Sequence, residues 1–306
     1  MIDSSRSIRR GVIGAACGVA SAILFGISAP VSKLLLPRID PWTLAGLLYT
    51  GAGVGLVGVR AVQRVMGRGA ATQRNRLQRA DVPQLLVIAV IGGGAGPVLM
   101  LLGLQRLSGV AGALLLNLEA VLTMLLAVTW FGERLTRGEA AAATIVIVGA
   151  AVVSVNGGPF HAGQLGVVAV AAACLAWAVD NNLTARLSGR NAVDLVQFKA
   201  LTAGAGNLLL AGALGRRFPG VTLMAIALAV GFVSYGLSIV LDVYALRYVG
   251  AARESAFFAS APFAGALAAV PLLGERVGVN EVAGGIVMAG GIALLVRARV
   301  RAEATA

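Results

Sequence analysis

The stretch MLLAVTWFGERLTRGE at residues 124–139 is repeated, with changes, as ALAAVPLLGERVGVNE at residues 266–281. The two copies are 142 residues apart, which is close to half of the 306-residue chain. Self-similarity at such a period predicts two related structural units in one polypeptide. The matched positions are Gly132, Glu133, Arg134, Glu139 and Gly149 in the first copy and Gly274, Glu275, Arg276, Glu281 and Gly291 in the second.

Long apolar segments surround both copies and predict an all-α integral membrane protein. The chain is 58% hydrophobic and only 12% charged, with a mean hydropathy of +0.88, whereas soluble proteins carry roughly 25% charged residues. A helix needs about 20 apolar residues to cross a membrane. The segments are continuously apolar and do not alternate as barrel strands do. Ten transmembrane helices are predicted, at 11–36, 41–60, 83–104, 108–131, 138–156, 164–186, 194–213, 221–245, 252–273 and 280–297.

A weaker match, at an offset of 152 residues, relates the beginnings of the two units. We therefore predict two domains of five helices each, residues 1–156 and 157–306. Because five is an odd number, the second domain would enter the membrane from the opposite side, giving a 5+5 inverted repeat. The matched positions are Gly14 with Gly166, Ala20 with Ala172 and Phe25 with Trp177.

The net charge of +12 comes from short Arg clusters between the apolar segments. Such clusters do not form one basic face, so we predict no nucleic-acid partner. If the N-terminus is inside, most of the 25 Lys and Arg residues fall in inner loops, as at 60–79 and 297–301, and few, such as Arg38 and Arg216, fall outside. Both termini are therefore predicted to be cytoplasmic, in a multi-pass protein of the bacterial inner membrane.

Three pairs of glycines predict close helix packing within the bilayer. Small residues four positions apart let two helix backbones approach each other. Such contacts are compatible with either a monomer or a homodimer. The pairs are Gly14 with Gly18, Gly51 with Gly55 and Gly92 with Gly96.

The duplicated motifs resemble the drug/metabolite transporter superfamily, in its ten-helix EamA-type branch, over nearly the whole chain. They are Leu118-Glu119-Ala120-Val121 and Phe131-Gly132-Glu133-Arg134-Leu135 in the first half, and Ala261-Pro262-Phe263 and Leu273-Gly274-Glu275-Arg276-Val277 in the second. The family pattern usually has Pro after the Glu of the fourth helix, where this chain has Ala120. This departure puts a kink at that point in question.

The resemblance implies a central cavity between the halves, lined by helices one, three, four, six, eight and nine. It also implies a secondary transporter that exports small metabolites, such as amino acids or drugs, by alternating access. The expected partners are a small-molecule substrate and the lipid bilayer. The alternatives are a membrane scaffold or sensor without transport and, less favoured, an intramembrane enzyme.

Glu119 is the first candidate site residue, because a carboxylate near the bilayer midplane is costly to insert. It lies about halfway along the fourth helix, two residues after Asn117. Glu119 could carry a proton or pair with a substrate amine. Alternatively, hydrogen bonds to neighbouring helices satisfy it and it only fixes their packing.

Asp180, Asn181 and Asn182 cannot all face lipid in an otherwise apolar sixth helix. They are predicted at a depth similar to Lys199 in the seventh helix and Asp242 in the eighth. These residues form either a structural ion-pair cluster at the cytoplasmic side or a gating and ion-coupling site, which we assign to Asp180, Asn181, Lys199 and Asp242.

Aromatic side chains could line the cavity, since ligand pockets are mostly apolar with a few placed polar groups. Phe25 and Trp177 occupy matching repeat positions and are the favoured pair. Most membrane aromatics only pack, which is the alternative here. Together with the polar candidates, the predicted substrate-binding set is Phe25, Asn117, Glu119, Trp177, Tyr235 and Phe257.

No catalytic residue, metal site or cofactor is predicted. The only histidine is His161, and Cys17 and Cys174 both lie in apolar segments. No Gly-rich phosphate loop with a following Lys is found, so energy would come from a gradient, with proton coupling left open. Lys33 is expected to extend to the lipid headgroups. Glu275 is expected to have a structural role.

Overall fold

The computed structural model describes residues 2–66, 75–132, 135–155 and 160–305. Within these ranges each predicted segment overlaps one helix of the fold, and the helix ends are displaced from the predicted ones by up to nine residues. The helices are α1 (Ile2–Gly26 and Ser28–Leu35), α2 (Pro41–Val65), α3 (Val82–Ile88, Ala89–Ala95 and Gly96–Leu104), α4 (Gly109–Leu115 and Leu118–Phe131), α5 (Arg137–Ser154), α6 (Phe160–Ala185), α7 (Ala192–Ala213), α8 (Val221–Gly231, Phe232–Leu237 and Ser238–Val249), α9 (Ala251–Phe258 and Ala261–Leu273) and α10 (Val279–Thr305).

Nine helices of the described residues are long and apolar enough to cross a membrane. α7 is not among them, although it has 22 residues. Asp194, Lys199 and Asn207 make it more polar than the other nine. It is nevertheless covered along its length by α2, where Thr50 packs directly against Gly204. The protein is therefore an all-helical multi-pass membrane protein.

The helices pack in pairs that join the two halves of the chain. α1 packs along α8, and α6 packs along α3. In addition, α2 packs along α7, and α5 packs along α10. The largest buried apolar cluster lies where α2, α3, α6, α7 and α8 meet, around Leu48 and Leu101.

The predicted glycine pairs lie at contacts between helices, because each of the six faces a residue of another helix. At Gly51 the space is so small that a Cβ atom would overlap the carbonyl oxygen of Leu228 in α8. The prediction of close packing is therefore confirmed at all three pairs.

Both ends of the described chain lie at the same end of the bundle. Gly14 of α1 faces Val249 at the end of α8. Gly138, at the beginning of α5, faces Ala298 near the end of α10. The first segment of α9 packs against both the end of α8 and α10, and so connects these two contacts. We call this the termini end of the bundle.

α4 is interrupted at Leu116 and Asn117, so a break forms although residue 120 is Ala. The N–H groups of Leu116 and Asn117 donate to the carbonyls three residues back, at 3.2 and 3.1 Å. The side-chain amide of Asn117 also donates to the carbonyl of Leu114, at 2.9 Å. Side-chain bonds of this kind compete with the helical pattern. The break therefore arises from Asn117 and needs no proline.

α9 is interrupted at Ala259 and Ser260 by a similar arrangement. The Ser260 hydroxyl donates to the carbonyl of Phe257, also three residues back, at 2.6 Å. Pro262 follows in the first turn of the next segment and has no N–H to donate. Both α4 and α9 thus consist of a short first segment and a longer second one.

Candidate functional site

Two adjoining cavities of about 400 and about 150 Å³ lie between the halves of the chain. We call them together the chamber. They share Phe25, Glu119, Asn181 and Phe258 as lining residues. The larger cavity is lined by α1, α4, α6, α9 and α10, and the smaller by α1, α2, α4, α6, α7, α8 and α9.

The prediction that the third helix lines the cavity is wrong for both cavities. Instead α3 lies behind Trp177, because the carbonyl of Gly92 accepts the indole N–H at 2.9 Å. Gly92 also packs directly against Asp180. α3 therefore supports two chamber residues from outside, and α2, α7 and α10 contribute to the lining.

The interruptions of α4 and α9 both lie at the wall of the larger cavity. Leu116 and Asn117 at the break of α4, and Ala259 beside that of α9, line the larger cavity. Asn117 is only 2% exposed, and its amide is used in the break itself. Of the predicted binding residues, Asn117 therefore contributes to the shape of the chamber more than to its hydrogen-bonding surface.

Glu119 lies in the first turn of the second segment of α4 and lines both cavities. Its carboxylate accepts a hydrogen bond from the side-chain amide of Asn181 in α6, at 2.8 Å. Asn181 also donates to the hydroxyl of Thr123, at 3.3 Å. The two predicted residues are thus brought together, and Thr123 joins them as a chamber residue that was not predicted.

Asp180 is buried and forms an ion pair with Lys199 of α7. Its other carboxylate oxygen accepts from the Thr184 hydroxyl at 3.0 Å. Both members of the pair line the smaller cavity. Asn182 points elsewhere, because its amide donates to the carbonyls of Thr123 and Ala178 at 2.9 and 2.8 Å. Asp180 and Lys199, which were predicted to lie at a similar depth, are therefore in contact.

Asp242 does not belong to this cluster, which corrects its assignment to the gating group with Lys199. Its carboxyl group lies within hydrogen-bonding reach of Glu254 in α9. Asp242 lines neither cavity, whereas Glu254 lines the larger one. Glu254 lies in the first turn of the first segment of α9.

The aromatic residues form a connected set along one wall of the chamber. Phe25 contacts Phe258 with ring centres 5.0 Å apart and Tyr235 edge-on at 5.7 Å. Tyr235 stacks on Tyr49 at 5.6 Å, and its hydroxyl lies 3.3 Å from that of Ser28. Trp177, Tyr49 and Tyr235 line the smaller cavity.

Phe257 was predicted in this set, but the structure places it outside the chamber. Its ring packs against Gly18 of α1 and lines neither cavity. The next residue, Phe258, takes the place in the chamber. Neighbouring residues on a helix point in directions about 100° apart, so an error of one residue is enough to turn a side chain out of the cavity.

A family model described as the EamA-like transporter family matches residues 12–155 and again residues 164–297. The chain belongs to the EamA-like transporter family. It is also 28% identical, over 293 residues, to an uncharacterized transporter of Methanothermobacter thermautotrophicus, covering 90% of this chain and 84% of that protein. One solved crystal structure matches with a TM-score of 0.65 and 19% identity, covering 94% of this chain and 98% of the other. That likeness concerns the fold alone.

This EamA-like protein is therefore a membrane transporter, and it is closed at the end opposite its termini. There, Glu275 accepts hydrogen bonds from the N–H groups of Gly109 and Val110, at 2.7 and 3.1 Å. Lys33 lies 3.7 Å from Glu275, and its ammonium donates to the carbonyls of Leu104 and Leu107. Lys33 thus binds protein groups and does not extend to headgroups, which corrects that prediction.

Glu281 extends this closed end of the transporter. It accepts hydrogen bonds from the hydroxyl of Ser108 and from the N–H of Gly278, the latter at 2.8 Å. Ser108 in turn caps the first segment of α4. These contacts join α1, α4, α9 and α10. We call the residues that make them the closing cluster: Lys33, Ser108, Glu275 and Glu281. Glu133 and Arg134, the repeat equivalents of Glu275 and Arg276, lie outside the described residues.

Proposed function

We propose that the protein is a secondary transporter that exports small organic solutes by alternating access. The observation that carries this proposal is the chamber between the two matched halves, with acidic, amide and aromatic side chains facing it. Its lining reaches Glu254 near the beginning of α9 and Val296 near the end of α10, whereas the opposite end is bridged by the closing cluster. Such a state would load solute from the termini end.

The proposed architecture is a 5+5 inverted repeat with domains 1–156 and 157–306, in which α7 is a tenth span. Equivalent features in both halves support it. Both α3 and α8 contain a π-helical segment, Ala89–Ala95 and Phe232–Leu237. Both α4 and α9 are interrupted, and both end on a glycine with positive φ, at Gly132 and Gly274. Features repeated at one offset are expected of halves related by a pseudo-twofold axis.

Orientation is proposed from the charge distribution. The termini end carries Arg10 and Arg297, and Lys and Arg concentrate on the cytoplasmic side of membrane proteins. Both termini would then be cytoplasmic in a bacterial inner membrane, and the chamber would be accessible from the cytoplasm. This direction is the one that an exporter needs for loading.

Counterflow into proteoliposomes tests the proposal. Purified protein is reconstituted, loaded with a panel of unlabelled amino acids, amines and carboxylic acids, and assayed for uptake of the labelled solute, with and without a pH gradient. At least one solute is expected to exchange at least fivefold faster than in empty liposomes. Glu119→Gln should reduce this exchange at least tenfold, because it removes the charge of a residue that lines both cavities.

Glu139→Gln is the matched control for this experiment. It makes the same chemical change in the first turn of α5, where the Glu139 carboxylate accepts a hydrogen bond from the N–H of Thr136 and lines neither cavity. Exchange in this variant should stay close to wild type. If no solute exchanges although ligands still raise the melting temperature, the scaffold or sensor alternative replaces transport.

A further inference from the structure

The chamber is lined by more acidic than basic side chains. Its lining contains the carboxyl groups of Glu119, Glu254 and Asp180, and one cation, Lys199. Lys199 is already paired with Asp180. Among the described residues, neither Glu119 nor Glu254 has a Lys or Arg nitrogen within ion-pair distance, so two carboxyl groups of the chamber lack a cationic partner.

Glu119 is held in place by neutral groups only. Asn181 donates to it, and Thr123 lies on the far side of Asn181. A partly buried carboxylate is costly when only neutral groups compensate it. A cation bound in the chamber would supply the missing partner. The side chain is therefore positioned, but its charge is not neutralised by the protein.

The helix breaks offer little to an anion. Half-helix N-termini at such breaks can bind a carboxylate through free N–H groups. Here the N–H of Glu119 donates to the carbonyl of Leu116 at 3.0 Å. In α9 the N–H groups of Phe263 and Ala264 both donate to the carbonyl of Ser260, and Pro262 has none. At these breaks the carboxylate of an amino acid would find backbone N–H groups that already donate within the protein. It would also lie near the acidic side chain of Glu119.

The rings beside Glu119 suit an apolar, cationic solute. Phe25 and Phe258 line both cavities, as Glu119 does. Aromatic faces attract cations within about 6 Å and provide apolar contact for the rest of a solute. A volume of about 400 Å³ falls within the usual range for small-molecule sites.

We infer that the chamber selects organic cations with an apolar or aromatic body and no carboxylate, and that Glu119 binds the cationic group. This inference rests on the proposed function, since it names the substrate class of the same chamber. Glu254 adds a second carboxyl group to the wall of the larger cavity, and Asp242 lies behind it. Amino acids and carboxylic acids are then poor substrates.

Three solutes with one aromatic body test this selectivity. Phenethyltrimethylammonium carries a fixed positive charge, L-phenylalanine carries both charges, and 3-phenylpropanoate carries a negative charge. Binding to the full-length protein is measured by calorimetry in detergent, and flux is measured separately by counterflow in liposomes. The quaternary ammonium does not cross lipid unaided, so its flux reports on the protein.

The cation is expected to bind at least tenfold more tightly than the other two solutes. Glu119→Gln should weaken its binding at least tenfold, and Glu254→Gln by a smaller factor, because Asp242 keeps a carboxyl group behind that wall. Glu139→Gln should change binding less than twofold. Circular dichroism and gel filtration establish that each variant is folded, and Glu254→Gln carries the test if Glu119→Gln is not.

The outcomes separate the inference from the proposed function. Equal or tighter binding of L-phenylalanine or 3-phenylpropanoate, or cation binding unaffected by both acid-to-amide changes, overturns the inference. Absence of cation binding also overturns it, and exchange of any other solute would still leave the transporter function standing. Selective cation binding without flux supports the inference and contradicts transport.

Discussion

At the scale of single residues, the Asp180–Lys199 pair shows how this membrane protein places charge. Asp180 is almost fully buried, with its side chain 3% exposed, whereas that of Lys199 is 20% exposed. A buried carboxylate that loses its partner is left uncompensated, and the cost exceeds the value of the pair itself. The pair therefore constrains α6 against α7 and balances one of the three carboxyl groups in the chamber.

Lys199→Met should destabilise the protein by about 3 kcal/mol, because it leaves Asp180 buried without a cation. The double variant Asp180→Asn with Lys199→Met should recover most of this loss, since it removes both charges. Thermal unfolding in detergent measures the difference. If the single and double variants melt at the same temperature, the ion pair does not hold α6 on α7.

At the scale of helices, the interruptions of α4 and α9 determine what faces the chamber. Each break follows a polar side chain that bonds three residues back, Asn117 in α4 and Ser260 in α9. In a continuous helix, the backbone N–H and C=O groups of these turns would take part in the regular helical hydrogen bonds. The interruption re-aims the second segment of α4, so that Glu119 and Thr123 both reach the larger cavity.

Asn117→Ala should favour a continuous α4, because it removes the side-chain amide that competes with the helical bonds. We expect the melting temperature to stay the same or rise, while substrate exchange falls severalfold. Counterflow and thermal unfolding on the same preparation measure both. Ser154→Ala, which removes a side-chain bond to Ala150 within α5, is the control. Full exchange by Asn117→Ala would separate the break from transport.

At the scale of the whole molecule, the closing cluster links the two halves at the end opposite the termini. Glu275 follows the end of α9, and the N–H groups that donate to it belong to α4. Lys33 of α1 and Glu281 of α10 add contacts around the same point. Because carboxylates at helix N-termini are stabilised by the local dipole, these contacts favour the state that is closed at this end.

Glu275→Gln should shift the population towards opening at the Lys33 end. A single cysteine placed at Ala259, in a background with Cys17 and Cys174 replaced by Ala, reports access to the chamber. Labelling by a membrane-impermeant maleimide from the side opposite the termini should rise severalfold in Glu275→Gln. Unchanged labelling would show that the cluster does not control the equilibrium, and Glu139→Gln serves as the matched control.

Local chemistry explains which predicted site residues the structure places at the chamber and which it does not. Glu119, Asn181 and the Asp180–Lys199 pair could be predicted, because ionisable and amide groups in apolar helices must find protein partners. Phe257, Lys33 and Asp242 could not, since their partners depend on helix rotation and on which neighbours lie beside them. Glu254 was missed for the same reason, because nothing in its own segment shows that α9 turns it towards the larger cavity.

The sequence by itself determined the membrane class, the apolar helical segments and the duplication, because apolar length and internal repetition are properties of the chain alone. Only the tertiary structure decided that α4 breaks without a proline, that α3 stands behind the chamber and that Glu119 and Glu254 both face it. These outcomes depend on contacts between residues far apart in sequence. The helix rotations that create those contacts are fixed by packing against neighbours and not by the hydrophobic pattern.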